Sequence, residues 1–438
     1  MNAHLWQRPI SEQTTATASA NGTAERLARQ TRRQIELSES RLNAWVTLSP
    51  DLAEQTALLD QDGAKLPLRG VSLGVKDLID VAGFPTRAGS PITSSDAVAA
   101  DADCVARLRA LGAVVQGKTV TTEFGYFAPG PTSNPHAADH TPGGSSSGSA
   151  AAVGAGVIPL ALGTQTAGSL TRPASYCGAA GMVLAHGATS MAGIVGLSES
   201  LDSLGLLTRT VDDLRFVYRA LYPDASTGHR VGSTNTVFAW HGSELDVIAP
   251  SMGRLVQQLP LLINKLGVEC QPLEWDDHVR TLAADHLTVM AHEAATTRAA
   301  ELDAHGAQLS APLRQLLEQG AGVTVGEHRC ALTRRDRSCD LLGTLLGSNA
   351  LVIGPAAIGP APAGLTATGS PVLSRPWQLL GLPVVVVPGA MTRAGLPIGL
   401  QIIGLPGREH DMLHLGVELE HLLRGLHPLP DESQDELP

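Results

Sequence analysis

The chain has 438 residues, of which 43% are apolar and 17% charged, and a formal net charge of −11 at pH 7. Such a composition is typical of a globular protein that buries a large core, and the acidic balance argues against nucleic acid or an anionic membrane as a partner. The five cysteines form no C-x-x-C pair, so we expect reduced thiols and neither a disulfide framework nor a zinc site.

The N-terminal stretch has no basic region followed by an apolar core, and the longest apolar runs are far shorter than the ~20 residues that a membrane helix needs. We therefore expect a cytoplasmic protein without a secretory signal or a membrane span. Residues 1–22 are polar and are predicted to form a flexible tail. Residues 23–430 are predicted to form a single domain.

Helix and strand patterns alternate through the first half of the chain. Apolar residues at helical spacing predict a first helix that ends near Asn43. A strand with period two is predicted over residues 71–76, and further helix–strand pairs place strands over 113–117 and 157–162. This alternation predicts an α/β fold with a parallel or mixed sheet.

The second half begins with a stretch of about residues 210–345 that is mainly helical in pattern and is predicted to be a helical insert. Strand patterns return with "ALVIGPA", "LPVVVVPG" and "LPIGLQIIG". A final helix is predicted over about residues 408–425.

The run "GGSSSGS", residues 143–149, is by composition a linker. It lies, however, inside one α/β unit, with no change of composition across it. After the next predicted strand, the turn "GTQTAGS" ends at Ser169. A turn at the carboxyl end of a strand exposes backbone N–H groups, so a serine there could attack a carbonyl while those groups bind the oxyanion.

A nucleophilic serine needs a base, and none of the histidines lies in a G-x-S-x-G motif. Lysine is the alternative, provided that burial keeps it neutral, since its free pKa is near ~10.4. Lys76 ends a predicted strand, and the other residues on its face of that strand are Gly and Ser. These small residues suit a buried amine.

These segments resemble the amidase signature family of serine amidohydrolases, with its G-G-S-S-G-G-S run, its D-x-G-G-S-x-R-x-P motif and its lysine strand. Ser145 and Ser169 are 24 positions apart (145 to 169), the spacing that the family has between the first serine of the run and the nucleophile. The similarity extends from about residue 40 to the closing "GLPIGLQIIG". It implies a central mixed sheet with helices on both faces.

The resemblance also implies a Ser-cisSer-Lys triad. Ser169 would be the nucleophile, Ser145, after a cis peptide at Gly144, would relay its proton, and Lys76 would be the base. The backbone N–H groups of the turn would form the oxyanion hole, and Ser146 would support the triad. The turn comprises Thr166, Ala167, Gly168 and Ser169. No cofactor and no metal is implied.

This chain departs from the family pattern at several positions. Gln165 replaces the acid of the nucleophile motif, Ala167 replaces its first glycine and Ser147 replaces a glycine of the run. Residues 182–185, from Met182 to Ala185, replace a K-P-T segment. We expect these changes to define a subtype, and the last to rebuild a local surface.

Other motifs carry less weight. "HAADH" lies between prolines in a loop and "HDMLH" lacks a third ligand, so neither predicts a metal site. Trp377 could line the substrate pocket or belong to the core; the sequence leaves both open.

Three functions fit these features. The first is an amidase that hydrolyses a small linear amide or urea-like compound through an acyl-enzyme. The second is an amidotransferase A-type subunit that delivers ammonia to a partner, although "GEHRCALTRRDRSCDLL" matches poorly the G-x-E-V-K-R-R-I-like helix of such subunits. The third is an inactive family member. We expect a small-molecule amide as the binding partner, no nucleic acid and no membrane, and leave a homodimer open.

Overall fold

The computed structural model describes residues 4–18, 23–62, 65–223 and 234–431. Within these ranges, one mixed sheet contains every strand, in the order β1-β3-β2-β4-β6-β5-β10-β11-β9-β7-β8. The strands are β1 (Trp45–Leu48), β2 (Ser72–Lys76), β3 (Val114–Thr119), β4 (Leu160–Gln165), β5 (Ala180–Val183), β6 (Ser203–Thr208), β7 (Thr236–Ala239), β8 (Glu269–Pro272), β9 (Ala350–Pro355), β10 (Val384–Met391) and β11 (Pro397–Ile403).

Helices flank this sheet, and short 3-10 turns lie at Leu5–Gln7 and Glu123–Gly125. The α-helices are α1 (Ile10–Thr17), α2 (Ala24–Leu42), α3 (Leu52–Asp62), α4 (Asp103–Ala110), α5 (Ser147–Gly154), α6 (Thr171–Cys177), α7 (Val211–Leu221), α8 (Pro250–Gln257), α9 (Leu259–Lys265), α10 (Asp276–Thr297), α11 (Ala299–His305), α12 (Ala311–Ala321), α13 (Val325–Leu346), α14 (Arg375–Leu379) and α15 (Glu409–Arg424). None of the helices within the described ranges combines the length and the apolarity needed to span a bilayer.

The sheet has an apolar core on each face. In β10, Val385 and Val387 pack in one core, whereas Val384 and Val386 pack in the other. Alternation along a strand therefore divides residues between two cores. For this reason β2, predicted from its period of two, is buried along its whole length.

The central elements agree with the predicted α/β class. Helix α2 ends where expected, because Asn43 adopts the left-handed conformation with φ 48° and its N–H bonds the carbonyl of Glu39. Strands β2, β3 and β4 run parallel to one another. Each pair in the succession β4-β6-β5-β10-β11-β9 is antiparallel, and β9, β7 and β8 are again parallel.

The N-terminus differs from the prediction of a flexible tail over residues 1–22. Residues 4–18 instead form a 3-10 turn and helix α1, which packs against α7. Ile10 is fully buried, and its N–H donates to Oδ1 of Asp213 at 2.6 Å. Arg209 donates to the carbonyls of Trp6 and Arg8, and the Thr17 hydroxyl donates to the carbonyl of Arg69, so polar contacts also dock this segment. The rest of that range, residues 1–3 and 19–22, lies outside the described residues.

Two further differences concern strands. The stretch predicted to be helical contains β7 and β8, whose length of four residues each is too short for a recognisable pattern. The expectation of a rebuilt surface over residues 182–185 is wrong. Met182 and Val183 belong to β5, which lies between β6 and β10, and the whole segment is buried. Apolar residues replace the K-P-T there because both faces of a central strand are covered.

Candidate active site

The carboxyl ends of parallel strands bring the predicted residues together. Lys76 is the last residue of β2, and β4 ends at Gln165, directly before the turn of residues 166–169. Both strands run in the same direction, so these ends meet at one edge of the sheet. The Gly/Ser run leads into α5 beside them, and is therefore part of the site and not a linker.

Lys76 is fully buried and contacts only neutral groups at hydrogen-bond distance. Its Nζ lies 2.7 Å from Oγ of Ser145 and 2.7 Å from Oγ1 of Thr164. Among the described residues it forms no ion pair with a carboxylate. Burial lowers the pKa of Lys76 to about 7, against an opposing effect of the charge on Asp202. At neutral pH a large fraction of this amine is therefore free to accept a proton.

The Ser145 backbone is held by glycines and an arginine. The Gly144–Ser145 peptide bond is cis, as the resemblance implied. Gly143 has φ 80°, and a Cβ there would lie 2.9 Å from Cα of Pro173, so both its conformation and its packing require glycine. Arg172 donates from Nη2 to the carbonyl of Gly144 at 2.6 Å, which fixes the loop against α6.

The turn of residues 166–169 presents free backbone donors. In the described part of the chain, the N–H groups of Ala167, Gly168 and Ser169 donate no hydrogen bond. The next two N–H groups along the chain are taken by Oε1 of Gln165, at 2.9 and 3.0 Å. Gln165 therefore caps α6 and leaves the preceding donors to a ligand.

Gln165, at the position of the family's acid, pairs with a second buried amide. Its Nε2 donates to Oε1 of Gln378 at 2.9 Å, and Nε2 of Gln378 donates in turn to the carbonyl of Gln165 at 3.2 Å. Both side chains are buried. A reciprocal pair of neutral amides thus occupies the place of the carboxylate.

Ser146 supports the site through its backbone and its hydroxyl. Its N–H donates to the carbonyl of Ser169 at 3.0 Å, and its Oγ donates to the carbonyl of Thr164 at 3.3 Å. The first contact joins the Gly/Ser loop directly to the turn that carries Ser169.

A narrow cavity opens onto these groups, and its space of about 310 Å³ includes open solvent. Ser145 and Ser169 both contact it, together with the donor turn, and in the described part of the chain the Ser169 hydroxyl makes no hydrogen bond. The remaining wall includes aromatic and apolar side chains and one arginine: Tyr126, Phe127, Arg172, Leu197, Met290 and Pro371. The cavity can therefore hold a small molecule against a free serine hydroxyl and free N–H donors.

Trp377 does not contact this cavity. It is fully buried and packs edge-on against Trp240, with ring centroids 5.0 Å apart, in one of the two cores. Of the two alternatives that the sequence left open, the structure selects the core.

Three charged or polar residues near the site were missed by the sequence analysis. Asp202 accepts a hydrogen bond from Oγ1 of Thr166 at 2.5 Å, and His286 lies 2.8 Å from the carbonyl of the same residue. Lys118 is a second buried lysine, paired with Asp77 at 2.9 Å. None of them lies in a motif, and only the strand position of Lys118 on β3, beside β2, could have indicated its burial.

Comparisons with known proteins agree with this geometry. The sequence model of the family described as Amidase matches residues 26–319. The glutamyl-tRNA(Gln) amidotransferase A-type subunit of Methanosarcina mazei (strain Goe1) is 29% identical, over 89% of this chain and 92% of its own. AmiA2 of Mycobacterium tuberculosis (strain H37Rv) is 31% identical, over 91% of this chain and 90% of its own. A crystal structure of an amidase superposes with a TM-score of 0.85 at 27% identity and covers 95% of this chain and 100% of that one.

The family match spans more than half of the chain, and the superposition with the amidase structure covers nearly all of it. The chain therefore belongs to the amidase signature family.

Proposed function

We propose that this protein is an amidase that hydrolyses the C–N bond of a small linear amide, with Ser169 as nucleophile, Ser145 as proton relay and Lys76 as base. The observation that carries the proposal is the 2.7 Å contact between Nζ of the fully buried Lys76 and Oγ of Ser145. A lysine with a pKa of about 7 is suited to general-base catalysis at neutral pH.

The reaction divides into two steps. Oγ of Ser169 attacks the amide carbonyl, and its proton passes through Ser145 to the neutral amine of Lys76. The tetrahedral oxyanion takes hydrogen bonds from the free N–H groups of the turn. When the C–N bond breaks, the proton returns through Ser145 to the leaving nitrogen, which departs as ammonia or an amine. Water then attacks the acyl-enzyme and gives the carboxylic acid and free Ser169 by the same proton route.

The cavity supports a small substrate. The space of about 310 Å³ includes open solvent, so its enclosed part is small and excludes a bulky substrate. Its aromatic and apolar wall favours an acyl group that is not strongly hydrated. The carbonyl carbon would lie beside Oγ of Ser169, with its oxygen directed at the unpaired N–H groups of residues 167–169 and the leaving nitrogen on the side of Ser145.

The second candidate is the ammonia-releasing component of an amidotransferase. The observation that favours it is the similarity over nearly the whole chain to proteins named as A-type subunits of glutamyl-tRNA(Gln) amidotransferase. The same serine, relay and base would serve, with glutamine as the amide and a protein partner as the acceptor of ammonia.

Ammonia release by the purified chain alone separates these candidates. A panel of acetamide, propionamide, butyramide, benzamide and glutamine would be incubated with the wild type and with Ser169→Ala as the control for background hydrolysis. Release from the simple amides that is absent in the variant supports the amidase. Activity on glutamine alone favours the amidotransferase component, and no release from any of the five amides contradicts the amidase proposal.

A further inference from the structure

His286 touches the donor turn from the helical part of the chain. It lies on α10, is fully buried, and its Nε2 is 2.8 Å from the carbonyl oxygen of Thr166. Its other ring nitrogen, Nδ1, is buried without a hydrogen-bond partner among the described residues. A carbonyl oxygen can only accept, so Nε2 must carry the proton and donate.

That contact fixes a peptide plane. The C=O of Thr166 and the N–H of Ala167 belong to one planar trans peptide and point in opposite directions. Holding the carbonyl on the α10 side therefore directs the N–H of Ala167 away from α10. Both residues border the cavity, and this N–H is one of the donors without a partner in the described part of the chain.

The imidazole is suited to this role and not to proton transfer. Burial lowers the pKa of His286 to about 3, against the opposing effect of its hydrogen bond to the Thr166 backbone; the positive charge of Arg375 lowers the pKa further and the charge of Glu293 raises it. The ring is thus a neutral donor throughout the working pH range. Its protonated nitrogen is bound to the backbone, and no hydrogen bond joins the ring to Lys76 or Ser145 in the described part of the chain.

A second anchor holds the same residue. Oγ1 of Thr166 donates to Asp202 at 2.5 Å, and the other carboxylate oxygen of Asp202 accepts from the N–H of Leu197 at 2.7 Å. The side chain of Thr166 is therefore fixed toward the 197–202 loop, while its carbonyl is fixed toward α10. Among the described residues, the His286 contact is the only hydrogen bond to the peptide that joins Thr166 and Ala167.

We propose that His286 is a positioning residue for the oxyanion hole, which orients the Ala167 N–H by binding the Thr166 carbonyl; this inference rests on the proposed function. The histidine touches neither the substrate nor the relay. It acts by keeping the Ala167 N–H directed at the position where the oxyanion develops. Preorganised donors of this kind stabilise the transition state more than the bound substrate.

The test compares His286→Leu, His286→Gln and His286→Asn. Glutamine can place an N–H where Nε2 lies, asparagine places its amide near Nδ1 instead, and leucine offers no donor. The matched control is His292→Leu on the same helix, because His292 bonds the carbonyl of Val323 and not the donor turn. Two rates would be measured: kcat and KM on the best amide, and phosphonylation of Ser169 by a fluorophosphonate, which needs the oxyanion donors but no natural substrate.

We expect His286→Leu and His286→Asn to lower kcat and the phosphonylation rate by about tenfold or more, since deleting a whole oxyanion donor costs ~10²–10³-fold. KM should change little, the pH dependence should keep its midpoint, and His286→Gln should recover most of the rate. The His292→Leu control should react like the wild type.

Two results would overturn the inference while leaving the nucleophile in place. One is a wild-type rate in His286→Leu; the other is an equal loss in the glutamine and asparagine variants, which would assign His286 to packing alone. If the wild-type Ser169 itself is not phosphonylated, both the proposed function and this inference fail.

Discussion

Nζ of Lys76 and Oγ of Ser145 lie 2.7 Å apart in a fully buried site, and no carboxylate among the described residues pairs with the lysine. The amine is surrounded by two hydroxyl groups and a carbonyl, none of which carries a charge. Its burial sets the pH range in which it can accept a proton.

The first prediction concerns activity against pH. Because Lys76 must be neutral to act as base and has a pKa of about 7, kcat/KM should fall roughly tenfold per pH unit well below that value and level off above it. Initial rates on one amide between pH 5 and 9 would measure this. A profile that stays flat from pH 5.5 to 8 would remove Lys76 from the role of base.

The second prediction concerns stability. The folded-state pKa of Lys76 is lowered below the unfolded value, so between about 7 and 10.5 the unfolded chain binds more protons and wild-type stability rises with pH. Lys76→Met removes this cost, which is on the order of a few kcal/mol. The variant should be inactive but more stable than the wild type at pH 7, and the difference should shrink toward pH 10. Urea unfolding at both pH values would show it.

Lys118→Met is the matched control for that variant. Lys118 is also fully buried, but it pairs with Asp77 at 2.9 Å. Its removal leaves a buried carboxylate without its partner, which typically costs about 3–5 kcal/mol. If both methionine variants shifted stability in the same direction, the distinction between the unpaired and the paired lysine would be wrong.

The third prediction separates the adjacent serines. Ser145→Ala removes the relay hydroxyl and should lower kcat by at least about 10²-fold, in line with the loss of a general acid–base group. Ser146→Ala removes a hydroxyl that donates to the carbonyl of Thr164 and accepts from the N–H of the same residue, while the Ser146 N–H still holds Ser169. We expect a loss of about 1 kcal/mol in stability and nearly unchanged kcat. Equal kcat values for the two variants would contradict the relay.

The fourth prediction concerns the amide that replaces the family's acid. Gln165→Leu would remove the acceptor of two N–H groups at the start of α6 and the donor to the side-chain oxygen of Gln378. All of these groups are buried. Each unsatisfied group costs roughly 1–3 kcal/mol, so the free energy of unfolding should fall by about 2 kcal/mol or more. Thermal unfolding would measure this, with the exposed Gln271→Leu as the control; no loss relative to that control would contradict the capping role of Gln165.

The sequence was sufficient for the fold and for the positions of the candidate residues, because motif spacing and strand patterns are local properties. The end of α2 at Asn43 and the placement of Lys76 at the end of β2 followed from such patterns. Contacts made over long sequence distances could not be predicted in this way. His286 meets Thr166 across 120 residues and Gln378 meets Gln165 across 213.

The errors have the same origin. The absence of the family's K-P-T motif predicts a rebuilt surface over residues 182–185. Their burial instead follows from the pairing of β5 with β6 on one side and β10 on the other. Helix α1 was missed because its polar sequence is stable only against α7. In both cases tertiary packing decided the structure of a segment that carries a weak local pattern.

The most direct test of the proposed mechanism is peptide mapping of the intermediate formed during turnover. Wild-type protein would be mixed with an activated amide or ester of the preferred acid, quenched in acid within the first turnover and digested for mass spectrometry. We expect one acyl group, on the peptide that contains Ser169, and none in Ser169→Ala. An acyl group on another residue, or rapid release of product with no acylated peptide at any time, would contradict the mechanism.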